Sequence, residues 1–93
     1  MEKKQVKGVN MGDILIYALS TCVWCGKTKQ LLKDMGVEYS YIDVDLLEGD
    51  GKKKIEDEMK KWNPRCSFPT LVINNKKCIV GYKEDEIRQE LMK

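Results

Sequence analysis

Hydrophobic positions change their spacing along the first half of the chain, and each change indicates a new element. Residues 14–19 form a continuous apolar run, which is typical of a buried strand. Between Trp24 and Met35 the apolar positions fall on one side of a helix, with lysines mostly outside. Gly36 is well placed to end that helix. Residues 37–44 are rich in β-branched and aromatic side chains and predict a second strand.

The second half of the chain alternates in the same way. The segment 49–51, Gly-Asp-Gly, predicts a turn, and a helix is expected from about Lys52 to Trp62. Residues 70–73 and 77–80 predict two strands joined by a tight Asn74-Asn75 turn. Acidic residues 84–86 suit the first turn of a last helix, where the helix dipole favours negative charge.

The predicted order is therefore βαβαββα in an α/β fold. A helical crossover makes the first two strands parallel, and the hairpin makes the last two antiparallel, which gives a four-stranded mixed sheet flanked by helices on both faces. We assign residues 13–93 to this domain. Residues 1–12 are polar and are predicted to be an N-terminal extension that Val6 and Val9 can order locally.

Composition narrows the function. The chain has 93 residues and a net charge of +2, too small to indicate nucleic acid or an acidic membrane as the main partner. No apolar run approaches a membrane span, and the first residues lack the apolar core of a signal peptide. A cytoplasmic location is expected, where thiols stay reduced. The absence of histidine excludes a cysteine–histidine nucleophile pair and a mixed cysteine/histidine zinc site.

The segment Cys22-Val23-Trp24-Cys25 carries the chemistry. It lies between the first strand and the first helix, and C-x-x-C in that context indicates a redox pair. A cysteine at a helix N-terminus meets free backbone N–H groups and the positive end of the dipole, which favour the nucleophilic thiolate. We therefore predict Cys22 as the nucleophile and Cys25, one turn later, as the resolving thiol.

The other two cysteines leave alternatives. C-x-x-C is also half of a structural zinc site, but Cys66 and Cys78 are isolated from one another rather than forming a second pair. A four-cysteine zinc module would need both to converge on the motif. We expect Cys78 to be a small buried hydrophobe and Cys66 to be passive, with an accessory thiol as the alternative for Cys66.

The element order and the motif resemble the thioredoxin superfamily, and residues 13–93 resemble glutaredoxins. The resemblance rests on 20–25 (Ser-Thr-Cys-Val-Trp-Cys), 67–69 (Ser-Phe-Pro) and 80–85 (Val-Gly-Tyr-Lys-Glu-Asp). It implies a thiol–disulfide oxidoreductase with a cis proline at Pro69 facing the dithiol, and a thiol substrate whose backbone pairs with Phe68. The residues predicted to bind substrate or thiol are Thr21, Val23, Trp24, Tyr17, Phe68, Pro69, Gly81 and Asp85.

One departure from the glutaredoxin pattern concerns the thiol partner. Glutaredoxins carry a lysine shortly before the motif for a glutathione carboxylate, and Leu19 stands there in this chain. Arg65 and Lys27 are the candidates to replace it. The resemblance therefore leaves glutathione or another small thiol, such as the coenzyme M of methane-producing archaea, as co-substrate. No permanently bound cofactor and no metal are predicted.

Two further hypotheses follow from the resemblance. The segment Gly81-Tyr82-Lys83-Glu84-Asp85 is similar to redoxins that take electrons from thioredoxin reductase and serve ribonucleotide reductase. Some glutaredoxins instead carry a [2Fe–2S] cluster between two protomers, and Val23 replaces the proline that disfavours it. The leading prediction is a monomer that acts on disulfide-containing proteins, with a small thiol or a reductase as electron donor.

Overall fold

The computed structural model describes residues 3–65 and 67–91. Eight elements follow one another along the chain, with a short 3₁₀ turn at Val44–Leu46 between the fourth and fifth. They are β1 (Lys4–Val6), β2 (Ile14–Ala18), α1 (Val23–Asp34), β3 (Tyr39–Asp43), α2 (Gly49–Trp62), β4 (Thr70–Ile73), β5 (Lys77–Val80) and α3 (Glu84–Leu91). Apart from β1, each was predicted from the sequence, with ends that differ by a few residues.

The sheet has the order β1-β3-β2-β4-β5. β2 and β3 are parallel, whereas β4 is antiparallel to both β2 and β5. Asn74 and Asn75 both have φ of 54°, the left-handed conformation that a two-residue hairpin turn requires. The predicted mixed sheet and its hairpin are confirmed, and the carboxyl end of the central strand β2 leads directly to the dithiol motif.

The predicted number of strands is wrong, because the N-terminal segment adds a fifth. β1 pairs antiparallel with β3, and Val9 forms a parallel bridge with Val37. Gly8 allows this close approach, since a Cβ there would lie 2.6 Å from the carbonyl carbon of Val37. Only one of the three residues of β1 is apolar. The strand is therefore held by backbone pairing, and the sequence shows no hydrophobic alternation that would predict it.

The predicted turn at 49–51 is also corrected. These three residues form the first turn of α2, which Glu48 precedes in an extended conformation. The Lys52 amide donates to the Glu48 carbonyl at 3.4 Å, and Asp50 places a carboxylate in the first turn. Two glycines indicate flexibility, but an acidic residue at the helix start and packing of the following turns favour the helix.

Two apolar clusters lie on opposite faces of the sheet. Side chains of β2 alternate between them, so that Ile16 and Ala18 face α1 and α3, whereas Tyr17 faces α2. We call these the dithiol face and the α2 face. In the described part of the chain, no helix has the length and apolar character that crossing a membrane requires.

Candidate dithiol site

Cys22 begins the site as the N-cap of α1. Its backbone is extended, its side chain is half-buried, and its Sγ accepts a hydrogen bond from the Cys25 amide at 3.2 Å. The preceding turn is attached to the 3₁₀ turn that follows β3, because the Ser20 amide donates to Asp45 Oδ1 at 2.8 Å. Hydrogen bonds from the Ser20 side chain and backbone lower the pKa of Asp45. The turn thus presents a sulfur beside the free N–H groups of a helix start.

Cys25 lies in very different surroundings. Its side chain is 0% exposed and belongs to the apolar cluster of the dithiol face. Burial, followed by a hydrogen bond to Cys22, raises the pKa of Cys25 to about 12, against smaller opposing effects of the Leu19 backbone and of Lys29. Cys22 and Cys25 are both free thiols. The pair therefore consists of one accessible sulfur and a second, buried sulfur that stays protonated.

The proline loop faces this helix from the neighbouring strand. The Phe68–Pro69 peptide is cis, as the resemblance implied, and Pro69 directly precedes β4. Phe68 packs against both apolar clusters. The Gly81 amide donates to the Pro69 carbonyl at 2.8 Å, which continues the β4–β5 pairing past the strand ends. The fold thus brings together Phe68, Pro69 and Gly81 at the edge of the sheet where β2 ends.

Asn63 fastens the proline loop, a role that the sequence analysis missed. It is 5% exposed, and its Nδ2 donates to the Ser67 carbonyl at 3.2 Å, to Ser67 Oγ at 2.9 Å and to Thr70 Oγ1 at 3.1 Å. Its Oδ1 accepts from the Arg65 amide at 3.2 Å. The sequence signal was present, since an asparagine between a helix end and a proline can hydrogen-bond the following loop.

An aromatic pair forms one side of the site. Trp24 is 54% exposed and stacks on Tyr82, with ring centroids 5.9 Å apart and planes at 29°. Lys27 Nζ lies 4.7 Å from the centroid of the Trp24 ring, within cation–π range. Val23 is 70% exposed. The first two turns of α1 therefore carry an apolar and cationic surface beside Cys22, and Tyr82 extends it from the segment before α3.

The remaining predicted residues lie at different places. Thr21 precedes Cys22 and is exposed, and Asp85 is exposed on the first turn of α3. Tyr17 is buried in the cluster of the α2 face, away from the cluster that contains Cys25. Burial and the charge of Glu58 raise the pKa of Tyr17. Its surroundings are those of a core side chain.

Of the two cysteines outside the motif, Cys78 lies within the described residues and Cys66 does not. Cys78 is a half-buried free thiol on β5, and burial raises its pKa. The predictions for Cys66 concern a position outside the described residues. Within 3–65 and 67–91, no group of three or more cysteine and acidic side chains is placed to hold a metal ion. A zinc module built on all four cysteines would depend on Cys66.

The parallel β2–α1–β3 unit, the dithiol at the start of its helix and the facing cis proline define a redoxin of the thioredoxin superfamily. The family model described as glutaredoxin matches residues 14–79, and the chain belongs to the glutaredoxin family. Members of this family are typically thiol–disulfide oxidoreductases.

Several relatives extend the comparison over almost the whole chain. The glutaredoxin of Methanosarcina mazei Go1 is 49% identical, with a TM-score of 0.89 over 98% of this chain and 88% of that one. Methanoredoxin of Methanosarcina acetivorans is 50% identical, with a TM-score of 0.87 over 90% of this chain and 88% of that one. A glutaredoxin-like 8.6 kDa protein from the rubredoxin operon of Clostridium pasteurianum is 34% identical over 74 residues, covering 80% of this chain and 91% of its own length.

Proposed function

We propose that this glutaredoxin-family protein reduces protein disulfides and mixed disulfides in the cytoplasm through Cys22 and Cys25. The observation that carries the proposal is the contrast between the two sulfurs. Cys22 is accessible at the helix start, whereas Cys25 is fully buried and its pKa is raised to about 12. A thiolate is the attacking species in disulfide exchange, so the accessible sulfur with donors around it is the one that meets substrate.

The reaction takes two exchange steps. The Cys22 thiolate attacks one sulfur of the substrate disulfide, which forms a mixed disulfide and releases the first substrate thiolate. Cys25 then attacks Cys22 Sγ, forms the Cys22–Cys25 bond and releases the second substrate sulfur. The substrate gains two electrons, and the protein disulfide is returned to the dithiol by two molecules of a small thiol or by a reductase.

The cis-proline loop would align the incoming disulfide. The backbone of Phe68 precedes Pro69 beside the dithiol, and Asn63 fixes the loop on its far side. Trp24 and Tyr82 would contact the apolar part of the substrate, since together they form the exposed aromatic surface next to Cys22. These contacts would hold the substrate sulfur in line with Cys22, which is how positioning accelerates a bimolecular exchange.

Leu19 directs the choice of co-substrate towards a small anionic thiol that does not need a lysine before the motif. Lys27 supports this choice, because its ammonium lies over Trp24 beside the dithiol. A compact thiol with a single acidic group, such as coenzyme M, would match one cation beside Trp24 in the turn that follows Cys22. Glutathione remains the alternative, with charged groups at both ends.

The experiment is a turnover assay with a peptide disulfide and four thiols: glutathione, coenzyme M, cysteine and coenzyme A. Wild-type protein is compared with Cys22→Ser, Cys25→Ser and the control Cys78→Ser. We expect Cys22→Ser to have no activity above background and Cys78→Ser to retain wild-type rates. Full activity of Cys22→Ser would refute the proposal.

Lys27→Met sharpens the same assay. The KM for the preferred anionic thiol should rise about two- to fivefold, the effect of losing an exposed charge pair worth roughly 0.5–1 kcal/mol. Lys33→Met is the matched control, since Lys33 is exposed in the last turn of the same helix. Equal effects of the two substitutions would remove Lys27 from the recognition of the thiol.

A second candidate is a redoxin reduced by thioredoxin reductase. The stacking of Tyr82 on Trp24 favours it, because an aromatic wall beside the dithiol suits a protein surface. Reduction by thioredoxin reductase, with no turnover on any of the four thiols, would select this candidate. Brown colour after anaerobic purification would instead support the [2Fe–2S] hypothesis, in which Cys22 is the ligand of each protomer.

A further inference from the structure

The second exchange step requires a buried thiol to lose its proton. Cys25 is 0% exposed, so water cannot solvate the thiolate that attacks Cys22. Within the described part of the chain, the positive charge of Lys29 acts on Cys25 in favour of the thiolate. Lys29 lies four residues after Cys25 on α1, which places both on the same side of the helix.

Lys29 is held in place by groups from β3. Its Nζ lies 2.9 Å from Asp43 Oδ1 and 4.1 Å from the centroid of the Tyr41 ring. The side chains of Lys29 and Asp43 are only 22% and 12% exposed. This pair is therefore shielded from solvent more than the other ion pairs of the described residues, in each of which one partner or both is at least 44% exposed.

The pair borders the cluster that contains Cys25. Asp43 is in register with Ala18 on β2, and Ala18 is fully buried on the dithiol face with Cys25. Three tyrosines also pack in or against this cluster: Tyr39, Tyr41 and Tyr82. Burial raises the pKa of Tyr39 and of Tyr82, so these two are neutral when disulfides exchange. The ion pair of Lys29 and Asp43 thus lies at the border of the cluster that contains Cys25, where α1 meets β3.

We infer that Lys29 and Asp43 control the resolving step of the proposed reaction, with Lys29 favouring the Cys25 thiolate and Asp43 offsetting part of that effect. The inference rests on the proposed function and adds two positioning residues that act through Cys25 without touching substrate. The ion pair fixes the ammonium near Cys25, and the carboxylate limits how strongly its charge acts there.

The step balances without another reactant. The Cys25 sulfur forms the bond to Cys22 Sγ as the bond from Cys22 to the substrate sulfur breaks. The leaving sulfur departs with the electron pair and takes up the proton that Cys25 has lost, directly or through solvent. The dithiol is oxidised by two electrons, and the substrate disulfide is reduced by the same two.

This role differs measurably from a structural one. If the ion pair only held α1 against β3, removing either partner would change the rate of the second step in the same direction. If it acts on Cys25 by charge, Lys29→Met slows the second step and Asp43→Asn accelerates it. The double variant Lys29→Met/Asp43→Asn should lie between the single variants, because both charges are then absent.

The experiment mixes the reduced full-length protein with one equivalent of 4,4′-dithiodipyridine, an uncharged disulfide, in a rapid-quench instrument. Intact mass with peptide mapping follows the formation and the loss of the Cys22 adduct. We expect Lys29→Met to slow loss of the adduct about threefold, equivalent to about half a pKa unit at Cys25, and Asp43→Asn to accelerate it about twofold. Formation of the adduct should change less than twofold, and Lys29→Arg should restore the wild-type second step.

Two results would overturn the inference: equal slowing in both single variants, or unchanged loss of the adduct in both. If no Cys22 adduct formed even in the wild-type protein, the proposed function itself would fail, so the two failures are distinguishable. Should Lys29→Met not fold, as judged by its thermal transition, Lys29→Gln removes the charge and keeps a polar side chain. The same two rates then decide the outcome.

Discussion

The two faces of the sheet each hold a cysteine that is at least partly buried, but of the two only Cys25 lies at a helix start beside another described cysteine. Cys25 lies on the dithiol face, fully buried in the first turn of α1, and its amide is hydrogen-bonded to Cys22. Cys78 lies half-buried on β5 at the sheet position paired with Val72, which belongs to the α2 cluster. Burial raises the pKa of both. Burial alone therefore does not distinguish the two cysteines, and the redox role proposed for Cys25 rests on its position at a helix start.

The largest expected difference between these cysteines is in their rates of alkylation. With a pKa of about 12, Cys25 is thiolate in about one molecule in ten thousand at pH 8, against roughly a quarter for an ordinary thiol of pKa 8.5. Iodoacetamide followed by peptide mapping should label Cys22 at least about a hundredfold faster than Cys25. Cys78 should react at an intermediate rate.

The rate of alkylation of Cys25 should also increase with pH. A pH between 7 and 9 lies far below the pKa of Cys25. The rate at which Cys25 is labelled should therefore rise about tenfold for each pH unit. Denatured protein is the control, in which the cysteines should react alike. Faster labelling of Cys25 than of Cys22 in the folded protein would reverse the assigned roles.

Asn63→Ala tests how the proline loop is held next to the dithiol. The substitution removes hydrogen bonds to Ser67 and Thr70 in a buried setting and should cost about 1–3 kcal/mol. The midpoint of thermal unfolding should fall by roughly 4–8 °C for each kcal/mol in a chain of this size. Turnover should fall as well, because the loop that aligns substrate loses its support.

Asn10→Ala is the matched control for Asn63→Ala. Asn10 is exposed, and its side chain accepts one local hydrogen bond from the Gly12 amide. Its effect should stay within about 0.5 kcal/mol, with no change in turnover. If Asn63→Ala matched Asn10→Ala in both measurements, the fastening role of Asn63 would be wrong.

Much of this molecule could be predicted because its signals are carried by side-chain patterns. The apolar run of β2, the periodicity of α1 and the Asn74-Asn75 turn each specify local structure. The motif between Cys22 and Cys25 is a local signal of the same kind, and it predicts the chemistry that we propose. β1 could not be predicted, because its pairing uses backbone groups and only Val6 is apolar.

The network around Asn63 and the pair of Lys29 with Asp43 were missed for a related reason. Each joins residues from two or more segments through single polar contacts, which no periodic pattern along the chain records. The proline loop was predicted through family resemblance, whereas the residues that fasten it depend on tertiary contacts. Tyr17 is the opposite case, since it is among the binding residues that the family resemblance implies, whereas strand alternation turns its side chain to the α2 face.

A substitution in the segment that follows β1 should affect stability and leave turnover unchanged. Gly8→Ala should place a Cβ against the backbone of residues 36–38 and cost about 1–3 kcal/mol in the free energy of unfolding, as overpacking does. Turnover should be unchanged below the melting transition, because the contact lies away from the dithiol. Gly51→Ala is the control in α2, where a Cβ meets nothing within 4 Å, and should stabilise the protein by about 0.5–1 kcal/mol.

The most direct test of the roles assigned to the two sulfurs compares Cys25→Ser with Cys22→Ser. Each reduced variant is mixed with the disulfide of the preferred small thiol, and intact mass with peptide mapping locates any adduct. We predict a stable mixed disulfide on Cys22 in Cys25→Ser, and no adduct on Cys25 in Cys22→Ser over the same time. An adduct on Cys25 that formed as fast as the one on Cys22 would contradict the account.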